Sequence, residues 1–514
     1  MRVVTAAEMR ALDERTIHGI GVPGVALMES AGRAVVNKVA KLLAPSLRTR
    51  RIVVVAGPGN NGGDGFVIAR HLHERGARVT VLRCAPEDKI TGDARTHHDA
   101  ALRSGVLLLD ATAPAFAESA RALDGAELIV DALLGTGLTR DVSDHFAEVI
   151  ARINASPGRR VAVDIPSGMD ADSGLPRGAC VAAQHTVTFA LPKLGLVSAP
   201  GFVLTGELTI ADIGISARLA DELTPACWLL DATSLAPLRA PRPGNSHKGT
   251  FGHLCIVAGW RGHTGAALLA GEAAMRAGVG LCTVASTDEG QRALASRVVE
   301  VMTAGLGQEP LEGASACAEL VKFIDNKDAV AFGPGVGTSA GARALLEQLL
   351  TAWAGPLVVD ADGLNLLAAS PSLLAGARAP SSITLTPHPA EMARLAGVTT
   401  GDVQADRLGT ARRFAALHNV HVVLKGARTV IAAPDGRAAI VPVGNPGMAT
   451  GGSGDVLTGI VGALAARGLD AWTAATAGAY WHGAAGDHVA RARGENGMIA
   501  RDLIDALAGT LATE

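Results

Sequence analysis

One alternation runs along nearly the whole chain and constrains its fold more than any other feature. Short β-branched apolar runs lead into loops rich in Gly, Asn or Asp, and Ala-rich helical stretches follow. RIVVVA (51–56) leads through GPGNNGGDG into FVIARHLHERGA, and RVTVLRC, ELIVDALLGTG, RVAVDIPSG and HTVTFALPKLG repeat the theme. A strand that is apolar throughout is buried on both faces. Strands of this kind that alternate with helices form parallel sheets covered on both sides, an α/β architecture. At 514 residues the chain exceeds what one core organises, so two domains are expected. The rhythm weakens between Ile215 and Pro243 and restarts at HLCIVAGWRG. The expected division is a first domain over 1–215, a linker over 216–230 and a second domain over 231–514.

Composition excludes several function classes. A net charge of -3 without a basic block argues against a nucleic-acid surface, and a single tyrosine argues against a base-stacking platform. Six scattered cysteines form no CxxC pair, which fits a reduced, cytoplasmic protein. The opening MRVVTAAEMRALDERT carries Glu8, Asp13 and Glu14 and does not read as a secretory signal. No apolar run approaches the ~18 residues of a membrane span.

In the first half, Gly57-x-Gly59-x-x-Gly62 lies between a strand and a helix, as in the dinucleotide fingerprint. The rest of that fingerprint fails, because the next strand ends in Arg83 and Cys84 where an acid would hold a ribose. Asn60, Asn61 and Asp64 interleave with the glycines, and their oxygens suit sugar hydroxyls or a hard cation. Asp131 and Asp164 stand at two further strand ends. Each alone reads as a turn cap. Together with the glycine loop they mark the ligand edge of a parallel sheet.

The segments ALMESAGRAV, GPGNNGGDGFVIARHL, DALLGTGL and VDIPSG resemble the NAD(P)H-hydrate epimerase family over roughly the first two hundred residues. The resemblance implies a Rossmann-like three-layer αβα domain that binds a damaged nicotinamide nucleotide. Its ligand contacts would be Asn60, Asn61, Gly62, Gly63 and Asp64 with Gly135, Thr136, Gly137, Leu138, Thr139, Arg140 and Asp141. It further implies that Asp164 acts at the hydrated ring and that Asn61, Asp131 and Ser167 surround a potassium ion (K+).

In the second half, GMATGGSGDVLTGI (447–460) crowds glycines before an apolar helix. Loop amides and a helix N-terminus together make an anion site. Asp455 in the first helical turn can complement the dipole. It can also accept the proton of a hydroxyl that attacks phosphorus. GGSGD resembles the ribokinase-like superfamily. NSHKGTFGHLCIVAG, GAALLAGEAAMRAGVGL, GPGVG, VVDADGLNLL, LTPHPAEMARL and VLKGARTVI resemble the ADP-dependent NAD(P)H-hydrate dehydratase family, from about Asp231 onward.

That second resemblance implies a ribokinase-like α/β domain in which Asp455 is catalytic and the hydrated cofactor meets Ala266, Gly335, His388 and Asp455. ADP would meet Lys425, Gly426, Ala427, Arg428 and Thr429, then Asn445, Gly447, Met448, Ala449, Thr450, Gly451, Gly452, Ser453 and Gly454. Magnesium (Mg2+) would accompany the nucleotide through water, with Glu391 and Asn365 behind it. Where the family shows His-Pro-Gly-Glu, this chain has Ala390; a positive φ there would strain an alanine. Joined, the halves imply an enzyme of nicotinamide nucleotide repair acting on hydrated NADH and NADPH, expected as a homo-oligomer. A ribokinase-like kinase of a vitamin-precursor alcohol is the alternative for the second half, and a non-catalytic ligand-sensing module for the first.

Overall fold

The computed structural model describes residues 1–309, 311 and 313–512. The chain forms two compact units, Met1–Thr224 and Pro225–Glu514. The stretch read as a linker is divided between them. Ala220 packs with Val4, Met9 and Leu12 in the first unit, and Cys227–Leu229 is a strand of the second. Among the described residues no helix is long and apolar enough to cross a membrane.

The first unit holds β1 (Arg51–Ala56), β2 (Arg78–Arg83), β3 (Leu107–Asp110), β4 (Leu128–Ala132), β5 (Arg159–Val163), β6 (His185–Phe189) and β7 (Glu207–Ala211). They run parallel in the order β3-β2-β1-β4-β5-β6-β7. The pleat sends successive side chains of β1 to opposite faces. Ile52 and Val54 join one apolar cluster with the helices Gly24–Leu42 and Asn60–Glu74, while Val53 and Val55 join another with the helix Asp144–Ala155. The result is three layers. Strand order reverses between β1 and β4, which opens a crevice at their C-terminal ends.

The second unit adds β8 (Cys227–Leu229), β9 (His253–Val257), β10 (Leu281–Ser286), β11 (Met302–Gly305), β12 (Ala329–Phe332), β13 (Leu357–Val359), β14 (Ile383–Leu385), β15 (His421–Leu424), β16 (Val430–Ala432) and β17 (Ala438–Ile440). Their order is β11-β10-β9-β12-β13-β14-β15-β16-β17-β8. The sheet is parallel from β11 to β15, then turns antiparallel through β16 and β17. Leu254 and Ile256 face one core, Cys255 and Val257 the other. The helix Ser453–Ala466 is buried from Val456 onward. A Cβ at Gly459 would stand 2.1 Å from the Ala270 carbonyl oxygen, so the glycine lets this helix lie against the helix Thr264–Arg276.

Candidate active sites

In the first unit the loop after β1 passes very close to the loop after β4. A Cβ at Gly57 would lie 1.8 Å from the Leu133 carbonyl oxygen, and one at Gly62 would lie 2.0 Å from that of Gly57. This close approach brings together the oxygens expected around potassium. Ser167 donates its hydroxyl to Asp131 at 2.6 Å and its amide to the same carboxylate at 2.8 Å. The Leu134 carbonyl accepts from Ser167 Oγ at 3.1 Å and from Asn61 Nδ2 at 2.9 Å. Asn61 Oδ1 is buried with no hydrogen-bond partner. Burial pushes the Asp131 carboxyl up to about 6, against the pull of the Ser167 hydrogen bonds. Gly135 abuts Asn61, its Cβ position 3.4 Å from the Asn61 Cβ. Gly137, Thr139, Arg140 and Asp141 are exposed, as is Asn60 at the start of its helix.

Asp164, just past β5, has φ 63, a left-handed conformation that costs a non-glycine residue about 1–2 kcal/mol. Such strain persists only where the surroundings impose it. Here the carboxylate accepts from Thr188 Oγ1 at 3.0 Å and from Lys193 Nζ at 2.5 Å. Lys193 is buried, and its other two protons go to Thr188 Oγ1 and the Phe189 carbonyl. Two further acids feel this pair. Asp64 is raised well above its usual range by burial and then by the Asp164 charge, with Lys193 opposing. Asp13 is raised to about 6 by burial, with Lys193 opposing and Asp164 adding. Asp13 and Lys193 escaped the sequence reading. The one signal for Lys193 was a lone cation in the apolar run TFALPKLGLV.

In the second unit, Asp455 occupies the first turn of the helix Ser453–Ala466, directly after Gly451–Gly454. Burial raises its carboxyl to about 6, the Asp360 charge adds to the rise, and Lys425 opposes it. Lys425 Nζ donates to Asp360 at 2.7 Å and lies 3.9 Å from Glu391. Thr458 holds the other Asp360 oxygen at 2.7 Å. A Cβ at Gly454 would lie 3.3 Å from Lys425 Nζ. The segment Lys425–Thr429 is the turn between β15 and β16, closed by Thr429 Oγ1 on the Gly426 carbonyl and by Arg428 Nη1 on that of Pro442.

His388 caps the helix Pro389–Ala396. Its Nδ1 accepts from the Ala390 and Glu391 amides at 3.1 and 3.3 Å, so Nε2 carries the hydrogen, 3.4 Å from Glu391. Ala390 lies in the first helical turn and is not among the residues with positive φ, so the departure from the family pattern carries no strain. Glu391 accepts the His388 amide at 2.7 Å, and Asn365 Oδ1 accepts from Arg394 at 3.0 Å. The Ala266 amide donates to the His263 carbonyl, and Gly335 (φ 64) lies against His263. Asn445 donates to Asp487 at 3.0 Å and accepts the Gly447 amide. Ser453 Oγ lies 3.3 Å from Nε2 of His482, whose ring burial lowers to about 4. The sequence reading passed over Asp360, His482 and Asp487, although Asp360 carries the strand-end signal that marked Asp131 and Asp164.

A family model described as NAD(P)H-hydrate dehydratase matches residues 254–508, and one described as YjeF-related protein N-terminus matches 24–195. The bifunctional NAD(P)H-hydrate repair enzyme of Moorella thermoacetica is 45% identical over 510 residues, covering 99% of this chain and 96% of that one. The Escherichia coli enzyme of the same name is 36% identical over 98% of this chain and 92% of its own. The ADP/ATP-dependent NAD(P)H-hydrate dehydratase of Bacillus subtilis, co-crystallised with ATP and Mg2+, superposes with a TM-score of 0.46. It is 29% identical and covers 52% of this chain and 92% of its own. Near-complete coverage of both partners at such identity, with a separate match in each unit, shows that the chain belongs to the family of bifunctional NAD(P)H-hydrate repair enzymes.

Proposed function

We propose that the chain returns hydrated NAD(P)H to the reduced cofactor at two separate sites. The first unit interconverts the R and S epimers at ring carbon six. The second removes water from the S epimer at the expense of ADP, giving AMP and phosphate. The observation that carries this reading is Asp455, a half-buried carboxyl raised to about 6 where a glycine loop enters a helix, beside the Lys425–Asp360 pair.

A glycine loop of this kind faces phosphate with amides, and the helix dipole favours the same charge. Hydroxide leaves carbon six poorly and phosphate leaves well. Asp455 takes the proton of the six-hydroxyl as its oxygen attacks the β-phosphorus of ADP, and AMP departs. The lone pair of the ring nitrogen then expels phosphate, and loss of a proton from carbon five restores the dihydropyridine. The loop amides hold the charge that develops on phosphate. Ala266, Gly335 and His388 are assigned to the hydrated cofactor. Lys425–Thr429 and the loop 445–454 are assigned to ADP. Among the described residues no group of three or more His, Cys, Asp or Glu side chains is placed to hold a metal. Magnesium is assigned as a companion of the nucleotide phosphates in its own water shell, which needs no dedicated protein cage. Glu391 and Asn365, committed to His388 and Arg394, stand behind it.

Epimer exchange in a hemiaminal needs a base at the hydroxyl while the bond from carbon six to nitrogen opens to an aldehyde and closes on the other face. Asp164 is assigned that role, with Lys193 fixing its orientation. Potassium fits the set of Asn61, Asp131 and Ser167, because the Asn61 oxygen is buried and unpaired beside an all-oxygen group. Its charge would steady the ligand's oxygens. The reading places the protein in the cytoplasm as a homo-oligomer, the assembly being measurable by light scattering.

The test is incubation of mixed hydrated NADH epimers with ADP, ATP or no nucleotide. Recovery of dihydronicotinamide absorbance with stoichiometric AMP is expected with ADP. A phosphorylated vitamin-precursor alcohol without recovered NADH would establish the kinase alternative instead.

A further inference from the structure

We propose that a cavity at the C-terminal ends of β2, β3 and β4 receives the adenosine end of the hydrated dinucleotide while its nicotinamide end lies at Asp164. The inference rests on the epimerase reading of the first unit and assigns a base-binding pocket to it. The cavity encloses about 560 Å³ and is lined by Cys84, Pro86, Thr112, Leu138, His145 and Phe146, among others. That volume lies within the range of small-ligand pockets.

Three observations point to a purine. The first is position. From β5, which Asp164 directly follows, to β2 the sheet steps through β4 and β1. Three steps of about 4.8 Å span roughly 14 Å, the reach of an extended dinucleotide. Its pyrophosphate then passes over the N-terminus of the helix Asn60–Glu74, which has no side-chain cap.

The second is chemistry. His145 lines the cavity with both ring nitrogens, Nδ1 and Nε2, buried and without a hydrogen-bond partner. Its ring packs edge-on to Phe116 at 5.4 Å and tilted on Phe146 at 5.8 Å. Leaving buried polar atoms unpaired is costly. A purine offers a flat face to such a cluster and an edge with donors and acceptors, which a modest turn of the imidazole can meet.

The third is the acids of the lining. Arg83 at the end of β2 is tied to the Ala85 carbonyl and lies 3.8 Å from Asp110, while Asp141 and Asp144 line the cavity and supply carboxylates for the ribose diol that accompanies the base.

The test compares hydrated NADH with the hydrated reduced mononucleotide, which lacks adenosine. Epimer exchange is followed in the full chain without ADP. Thr112→Trp, which fills the cavity, and His145→Ala, which removes the ring, are expected to raise KM for the dinucleotide by about tenfold or more. KM for the mononucleotide should move less than about twofold, since the lost contacts are remote from the reacting carbon. Adenosine should compete with the dinucleotide in the unmodified protein and lose that effect in Thr112→Trp. Unchanged KM for the dinucleotide, or equal losses on both substrates from variants whose melting temperatures match the parent, overturns the inference. Catalysed exchange of neither substrate by the unmodified protein overturns instead the epimerase reading beneath it.

Discussion

Asp455→Asn keeps the shape of the loop and removes only the base. In the free protein the Asp455 carboxyl stands at about 6 rather than near 4, raised by burial and by the Asp360 charge. A base with that value is ionised at neutral pH. Its dehydration rate should be flat above pH 7 and fall about tenfold per unit well below 6. Asp455→Asn should cost a factor on the order of 10²–10⁴ and abolish that inflection. ADP binding should persist, because in the proposed arrangement loop amides and not the carboxylate hold the phosphates. Asp360→Asn probes the cause of the shift. It removes the neighbouring negative charge and releases Lys425, and both changes lower the Asp455 value. The inflection should therefore move to more acid pH, toward the ordinary carboxylate range. The assay is ADP-dependent recovery of dihydronicotinamide absorbance from the S epimer, from pH 4.5 to 8 at limiting substrate and nucleotide, so that kcat/KM reports the free protein. Asp455→Asn retaining more than about a tenth of the rate, or an inflection unmoved in Asp360→Asn, would refute the reasoning.

Asp164→Asn should leave S-epimer dehydration intact and turn the time course on mixed epimers into a fast phase followed by one limited by spontaneous exchange; a single fast phase, where spontaneous exchange is slow, rules out this role. Asp131 is fully buried and raised to about 6, so the folded first unit retains a proton that the unfolded chain releases near 4. Without potassium its stability should fall as pH rises from 4 through 6 and level off above. At pH 8 potassium should restore part of the melting temperature and support exchange, and equal behaviour in a tetramethylammonium buffer removes the cation from the site. Lys193→Met strips a buried cation from Asp164 and should destabilise the first unit by about 3–5 kcal/mol at pH 8. The loss should shrink at pH 5 as the raised acids Asp13 and Asp64 beside the pair take up protons, so equal urea midpoint shifts at both values would count against the pairing.

The parts of this molecule legible in the sequence are those that one local rule determines. Fully apolar runs mark parallel strands because both faces of each are buried, as Val53 and Val54 of β1 show by entering different cores. Strand-end acids mark a candidate ligand edge, and Asp131 and Asp164 carry that signal. Asp360 obeys the same rule, yet it sits inside VVDADGLNLL, where the helix Asp362–Ala369 begins at once and the acid reads as a cap. Lys193 and Asp13 were illegible for another reason. Their roles come from chain segments distant in sequence that fold onto Asp164, and no spacing encodes that meeting. VHVVLKGARTVI reads as one run, but KGAR is a turn with Gly426 at φ 131 and Arg428 at φ 55, so the chain reverses and β16 and β17 join antiparallel. Three-residue strands carry too few alternations to announce themselves.

The two candidate sites neutralise their acids differently, and the difference suits the roles proposed for them. Asp164 has a buried ammonium directly on it, which fixes the carboxylate in place. Among the described residues Asp455 has no such hydrogen-bonded cation: Lys425, whose charge opposes its rise, is committed to Asp360, and the three groups together carry one net negative charge once ionised. A polyphosphate arriving at the adjacent loop adds more negative charge, which raises the affinity of Asp455 for a proton. Proton transfer is most effective when the base has a value near the working pH. In the proposed arrangement a carboxylate on this loop would be a weak ligand for ADP but would gain basicity from it. On the proposed function the nucleotide would help to create the base that accepts the hydroxyl proton, and hydroxyl attack would be favoured only with the phosphoryl donor in place.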